Sequence, residues 1–256
     1  MTAFITLKHY LKRASTKPIE IALMTLLPVG IIFLNVAVNQ NFMASEEGMQ
    51  FLWQGYNLVN TGVVTNIMVM FMFMSGAYAG EYYYYDLRSV NRWRLNATPV
   101  ATANFVFGAI SGGFIFSSLT GGLILTMGYF FFDMYMGNLI IIVLVLLLVV
   151  LMSQFIGIIV AIFAKGKGSI DGIMIALSFA MASMVGAFLI PIPMPDFVRD
   201  YILPYGVALR ATVVSRPTAQ ALNYDLRDAI PYLAILVGMT IVFGIAALIL
   251  ARRRPA

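Results

Sequence analysis

The run LIIIVLVLLLVVLMSQFIGIIVAIF, residues 139–163, decides the fold. From Leu139 to Phe163 it carries no charge, and Ser153 and Gln154 are its only strongly polar side chains. As an α-helix it extends about 37 Å at ~1.5 Å per residue, more than the ~30 Å hydrocarbon core of a bilayer. A barrel strand needs only about ten residues and alternates in polarity. The unbroken apolar character therefore predicts a membrane-spanning helix.

Working outward, five more apolar runs of this kind occur. They cover Ile19 to Val38 (with Pro28 inside), Leu58 to Gly80, Pro99 to Phe132, Gly172 to Ile190 and Pro231 to Leu250. Pro99 to Phe132 is longer than a crossing needs; its outer part is the crossing. The 256 residues are 61% hydrophobic and 11% charged, against about 25% charged in a soluble domain. That balance excludes a water-soluble globular protein and a disordered chain. The expectation is an all-α polytopic membrane protein with six transmembrane helices. The first run is long and has no Ala-x-Ala-like site after it, so no secretory signal is expected.

Charge gives the orientation, because Lys and Arg collect on the cytoplasmic side. With six spans both ends share one side. That side receives Lys8, Lys12, Arg13, Lys17, Arg88, Arg92, Arg94, Lys165, Lys167, Arg252, Arg253 and Arg254, twelve of the 16 basic residues. Loops 39–57 and 133–138 on the other side have none. Both termini are expected in the cytoplasm. The net charge of +5 then reflects a membrane face rather than a nucleic-acid partner.

Three segments are not simple crossings. In residues 1–18, Phe4, Leu7, Leu11 and Ala14 recur at helical spacing with Lys8 and Lys12 on another face. This predicts an amphipathic helix in the inner interface, its lysines toward lipid phosphates; a basic tail is the plainer alternative. Residues 81–98 form the longest inner loop, with Leu87 and Val90 on one face and Arg88 and Arg92 on another. Either a short cytosolic helix that docks a partner or an ordinary basic loop fits. Thr98 followed by Pro99 reads as the start of the third span. Residues 191–230 open with Pro191, Pro193 and Pro195, which end the fifth span. The short apolar pieces that follow are expected to dip into or rest on the outer leaflet, with Asp196, Arg199 and Asp200 available for ion pairs.

Small residues mark packing faces, in Gly113-x-x-x-Ser117-x-x-x-Gly121 and Ser178-x-x-x-Ala182-x-x-x-Gly186. Asn57, Thr61 and Thr65 share a face of the second span, with Asn66 beside them. They line a translocation path or hydrogen-bond neighbouring helices. Met68, Met70, Met72 and Met74 are read as filler more readily than as a soft binding surface.

The chemical inventory is short. There is no Cys, hence no disulfide, thiolate site or thiol nucleophile, and His9 is the sole histidine. Glu20, Glu81, Asp133 and Asp171 lie at span ends rather than mid-membrane, which disfavours ion-coupled transport. Neither a Gly-x-Ser-x-Gly elbow nor a His-Glu-x-x-His pair occurs. Lys165-Gly166-Lys167-Gly168-Ser169 fails as a phosphate loop, because no Lys is followed by Ser or Thr and Ala161 stands where the first Gly belongs. No cofactor or metal is expected in this chain, and no ATP hydrolysis by it alone.

The layout over the whole chain resembles the membrane subunit of type-2 ABC exporters, the ABC-2 permease family. The local match is Glu81 followed by Arg92-Trp93-Arg94-Leu95-Asn96-Ala97-Thr98-Pro99-Val100, with Leu203-Pro204-Tyr205 and Ala208-Leu209-Arg210 after the fifth span. The Tyr82–Tyr85 run departs from the charged, Glu- and Gly-containing stretch of many members. The resemblance implies residues 1–18 as an interfacial helix and residues 19–256 as a six-helix transmembrane domain. It implies a coupling helix within 81–98, with Glu81, Asp86, Arg88, Arg92 and Arg94 docking a separate cytosolic ATPase, and an exit shaped by 191–230. Two permease subunits, identical or homologous, would join two ATPase copies, which bind the ATP and Mg. The function implied is export of an amphipathic or lipophilic cargo across the plasma membrane of a bacterium: a drug, an antimicrobial peptide or a lipid-like molecule. An ATP-independent transporter or channel, or a membrane assembly factor, is the alternative.

Overall fold

The computed structural model describes residues 12, 26–37, 52–53, 56–88, 102–186, 192–215 and 226–253. The expected interfacial helix over 1–18 (Lys12 apart), the Thr98-Pro99 start and the loop residues Arg92 and Arg94 lie outside them.

The described chain is helical apart from one short antiparallel pairing. Helix α1 is Leu26–Ala37. Strands β1 (Leu52–Trp53) and β2 (Tyr56–Asn57) pair with Leu52 opposite Asn57. There follow α2 (Leu58–Met74), α3 (Gly76–Arg88), α4 (Thr102–Phe132), α5 (Leu139–Phe163) and α6 (Lys167–Met184). A π-helical turn, Val198–Ile202, leads into α7 (Pro204–Val213), and a 3-10 turn, Leu226–Asp228, into α8 (Ala229–Arg253). Among the described residues, four stretches are long and apolar enough to cross a membrane: Leu58–Asp86, Ala103–Phe132, Leu139–Phe163 and Ala229–Arg252. The described part of α1 is shorter, and α6 carries Lys167 and Asp171 in its first turns.

Local chemistry explains the ends. Asn138 caps α5 by accepting from the Ile140 and Ile141 amides at 3.0 and 3.2 Å, as an N-cap side chain does. Pro204 occupies the first turn of α7, where its missing N–H costs nothing. Gly186, at φ +75°, ends α6 in a conformation glycine adopts without strain.

The expected fourth span coincides with α5 at both ends. The second differs. The helix does not stop at Gly80; it turns at Ser75 and continues as α3 to Arg88. The first part of the expected cytosolic helix is thus the end of a long arm. Helix α6 starts before Gly172 and stops at Met184, short of Ile190.

The α2–α3 arm is the centre of the bundle, and most of it is buried. It packs against α4, α5 and α6, while α8 lies on the far side of α5 and also touches α4. Helix α4 and above all α8 leave much of their surface apolar and exposed, as in Leu119, Phe130, Ile241 and Val242. In water this would be costly; in lipid it is the expected outer surface. Helix α6 has 18 residues, about 27 Å, and the arm is far longer. Helix α7 fills the difference, wedged among α2, α5 and α8.

Candidate functional site

Among the polar groups that interrupt the apolar bundle, four lie at junctions between elements.

At one end, Asn60 and Thr61 on α2 close the α4–α5 connection. The Asn60 amide donates to the Phe132 carbonyl at 3.2 Å, satisfying a carbonyl at the end of α4. The Thr61 hydroxyl accepts from the Tyr135 amide at 2.9 Å. The connection turns at Asp133, whose φ of +50° lies in the left-handed region that Asp tolerates better than most residues. One turn on, the Thr65 hydroxyl donates to the Thr61 carbonyl at 2.8 Å. Thr61 and Thr65 are each 1% exposed.

The second group seats α7. The Tyr205 hydroxyl donates to the Asn66 carbonyl at 2.8 Å and also meets the Asn66 side-chain oxygen. Its ring stacks on Phe73, centroids 5.9 Å apart. Asn66 and Phe73 are eight and fifteen residues into α2, about 12 and 22 Å from its Leu58 end. Tyr205 therefore reaches the middle of the arm. Gly206 makes the approach feasible, since a Cβ there would lie 1.8 Å from the Arg199 carbonyl oxygen. Of the candidate path residues, Thr61 and Asn66 thus tie α2 to its neighbours and Thr65 bonds back to α2's own backbone, while the side chain of Asn57 lies outside the description.

Third is the charge cluster before α7. Arg199 meets Asp196 at 2.8 Å and Asp200 at 2.7 Å, and Arg210 meets Asp200 at 2.7 Å. Burial opposes ionisation of Asp200, but hydrogen bonds from Arg199 and Arg210 outweigh it and hold the carboxyl below its ordinary range. The hydrogen bond to Asp200 in turn raises Arg199. Beside the cluster, Tyr201 stacks between Phe197 and Tyr232, with centroids 5.7 and 5.6 Å apart.

The fourth group lies at the basic end. Lys167 Nζ is 3.2 Å from Glu81 Oε2, and the Tyr84 hydroxyl donates to the Lys165 carbonyl at 3.0 Å. Glu81 is turned into the bundle, 5% exposed, and Asp86 is half-buried at the end of the arm. Arg88 closes α3. Of the docking residues read from the sequence, Glu81, Asp86 and Arg88 therefore share one rigid helix. Glu81 faces Lys167, which belongs to a separate basic connection.

Sequence reading passed over the contact that fixes this arm. A Cβ on Gly76 would lie 2.1 Å from the Ser153 carbonyl oxygen, one on Gly80 2.6 Å from that of Gly157, and one on Gly157 1.8 Å from that of Gly76. The Gly76-x-x-x-Gly80 spacing was the available signal. The small face Gly113–Ser117–Gly121 does lie on α5: Gly113 and Ser117 meet Gln154, and Gly121 meets Leu146. Among the described residues no group of His, Asp and Glu could hold a metal ion. The sequence matches no protein-family profile and no curated protein.

Proposed function

We propose that this chain is the transmembrane permease subunit of an ATP-driven exporter of the ABC-2 type. The observation that supports this most is the basic end of the α2–α3 arm. The arm passes through the apolar bundle, its second helix α3 ends at Arg88, and it is tied to the connection after α5 and the start of α6 through Tyr84–Lys165 and Glu81–Lys167. Two basic connections become one platform. A cytosolic ATPase seated on Asp86, Arg88, Arg92 and Arg94 would push on α3, and Glu81 would hold the platform together from within. The buried α7 supports the same reading, because it makes a short helix of the 191–230 segment part of the bundle.

In this reading the chain has six spans, the α1 region and α6 completing the four of full length, with both termini in the cytoplasm and residues 1–18 on the inner leaflet. It is non-catalytic. Two permeases, alike or homologous, pair with two ATPases that supply ATP and Mg. The cargo is amphipathic or lipophilic, exported across a bacterial plasma membrane. The test is purification of the tagged chain from its native host in mild detergent, with mass spectrometry of what accompanies it. A stoichiometric protein with a Gly-x-x-x-x-Gly-Lys-Ser/Thr loop is expected. A chain that purifies alone under conditions preserving ATPase–permease complexes overturns the proposal.

A further inference from the structure

The middle of the bundle holds a polar cluster that the proposed function does not use. Gln154 on α5 is fully buried, as are Ser75, Ser117 and Ser153 around it. Its amide nitrogen lies 3.3 Å from the Ser75 carbonyl and 3.4 Å from the hydroxyl oxygens of Ser75, Ser117 and Ser153. One amide group has two hydrogens to give, so four acceptors compete for them. All four distances are longer than the ~2.9–3.0 Å of a well-made bond. The amide oxygen has no hydrogen-bond partner and points at Gly113, where a Cβ would lie 2.1 Å away.

This cluster sits on the turn between α2 and α3. The Ser75 carbonyl accepts from the Tyr78 amide, three residues on, at 3.0 Å, and the Gln154 amide takes the position beside it. Insertion of a side chain into the i→i−4 ladder is a known cause of helix kinks. The two sides of the turn are held differently. Helix α3 meets α5 backbone to backbone at Gly76, Gly80, Ser153 and Gly157, and is pinned again at Lys165 and Lys167. Helix α2 has no such backbone-to-backbone seam: Asn60, Thr61 and Asn66 hydrogen-bond to the α4–α5 connection and to Tyr205, and between them and the turn its buried side chains include Met68, Met70, Met72 and Met74. Methionine side chains repack at little cost.

We propose that Ser75 is a hinge and Gln154 its latch: α3, α5 and the Lys165–Lys167 turn form one body, and α2 swings against it when the latch opens. A fully satisfied buried network rigidifies a core, and this one is only partly satisfied. This inference stands whether or not an ATPase partner exists.

The chain has no Cys, so introduced cysteines take nitroxide labels uniquely. Gly62 is exposed, with open space where a Cβ would be; Ile140 and Lys165 are exposed as well. Pulsed electron–electron distances would be measured on the full chain in lipid nanodiscs. The pair Gly62→Cys with Lys165→Cys spans the hinge; Ile140→Cys with Lys165→Cys stays within the α5 body. Gly62 is thirteen residues from Ser75, about 20 Å, so a swing of about 20°, the size of a sharp kink, moves it by about 7 Å. Gln154→Met is expected to add a second population displaced by that amount in the first pair and to leave the second pair unchanged. Gly113→Ala, which displaces the amide without removing it, should do the same and decides the matter if Gln154→Met does not fold. An unchanged first pair, or equal broadening of both pairs, overturns the hinge.

Discussion

Glu81 and Lys167 face each other at 3.2 Å across the junction of two helices, 86 positions of chain apart in neither burial nor exposure alike: the carboxylate side chain is 6% exposed and the ammonium 32%. The asymmetry sets what each substitution does. Lys167→Met leaves a buried carboxylate without its cation, whereas Glu81→Gln leaves an ammonium that reaches water. Breaking a buried pair by removing one partner costs roughly 3–5 kcal/mol, and exposure of the lysine lowers that to about 2 kcal/mol here. Thermal unfolding in detergent should therefore rank Lys167→Met below Glu81→Gln, with Lys167→Arg close to the parent. Equal losses for the first two would remove the pair from the account.

The glycine contact gives the sharpest contrast. Gly157→Ala drives a methyl to 1.8 Å from the Gly76 carbonyl oxygen, and the helices must separate. Overpacking of this kind costs typically ~1–3 kcal/mol or more. Gly172→Ala on α6 meets open space and should stabilise by roughly 0.5–1 kcal/mol from helix propensity. The two melting temperatures should move in opposite directions.

Tyr205→Phe keeps the stack on Phe73 and removes only the hydroxyl. The Asn66 oxygens lose a buried donor, at a cost of about 1–2 kcal/mol. Hydrogen exchange should accelerate at the Val207, Ala208 and Ala211 amides of α7 before it does in α5. Uniform acceleration across the bundle would show that Tyr205 supports the whole fold rather than α7.

Acid should act on the same region. The folded carboxyl of Asp200 titrates below its ordinary value of about 3.9. A group depressed on folding adds stability above its unfolded pKa and loses that stability as pH falls through the folded one. The melting temperature should drop as pH falls below about 4, and Asp200→Asn should flatten that limb while lowering the neutral-pH plateau. A parent and variant that fall in parallel would place the acid sensitivity elsewhere.

The proposed function makes its own demand. Arg88→Glu with Arg92→Glu should uncouple ATP hydrolysis from transport in the reconstituted complex while the subunit still folds. Unchanged coupling would take the docking role away from that helix.

Hydrophobic continuity made the long helices legible. From Leu139 to Phe163 the apolar run and its Asn138 cap define both ends without any tertiary information. The end of α2 was not legible in this way. The Ser75-Gly76 pair was the only local signal for a turn, and its partner Gln154 comes from a helix 79 positions away. Likewise, Thr61, Thr65 and Asn66 show one polar face whether it meets a path or a neighbour. The partners, Tyr135 and Tyr205, are set by packing. The prolines after α6 announced an interruption, but the depth of α7 follows from the Asn66 and Phe73 contacts, which no spacing encodes.

The placement of α7 also bears on how crossings are counted. Val185, just beyond α6, lies near Gly206, and Tyr201 stacks on Tyr232 in the first turns of α8. The described parts of the excursion thus begin and end near one level, which in the proposed topology adds nothing to the parity of the chain. In the proposed six-span topology, an epitope or glycan acceptor inserted after α6 and one inserted before α8 should report the same compartment, and markers at Lys165 and after Arg252 the other. Hydropathy that scored α7 as a seventh crossing would invert the assignment of everything downstream of it.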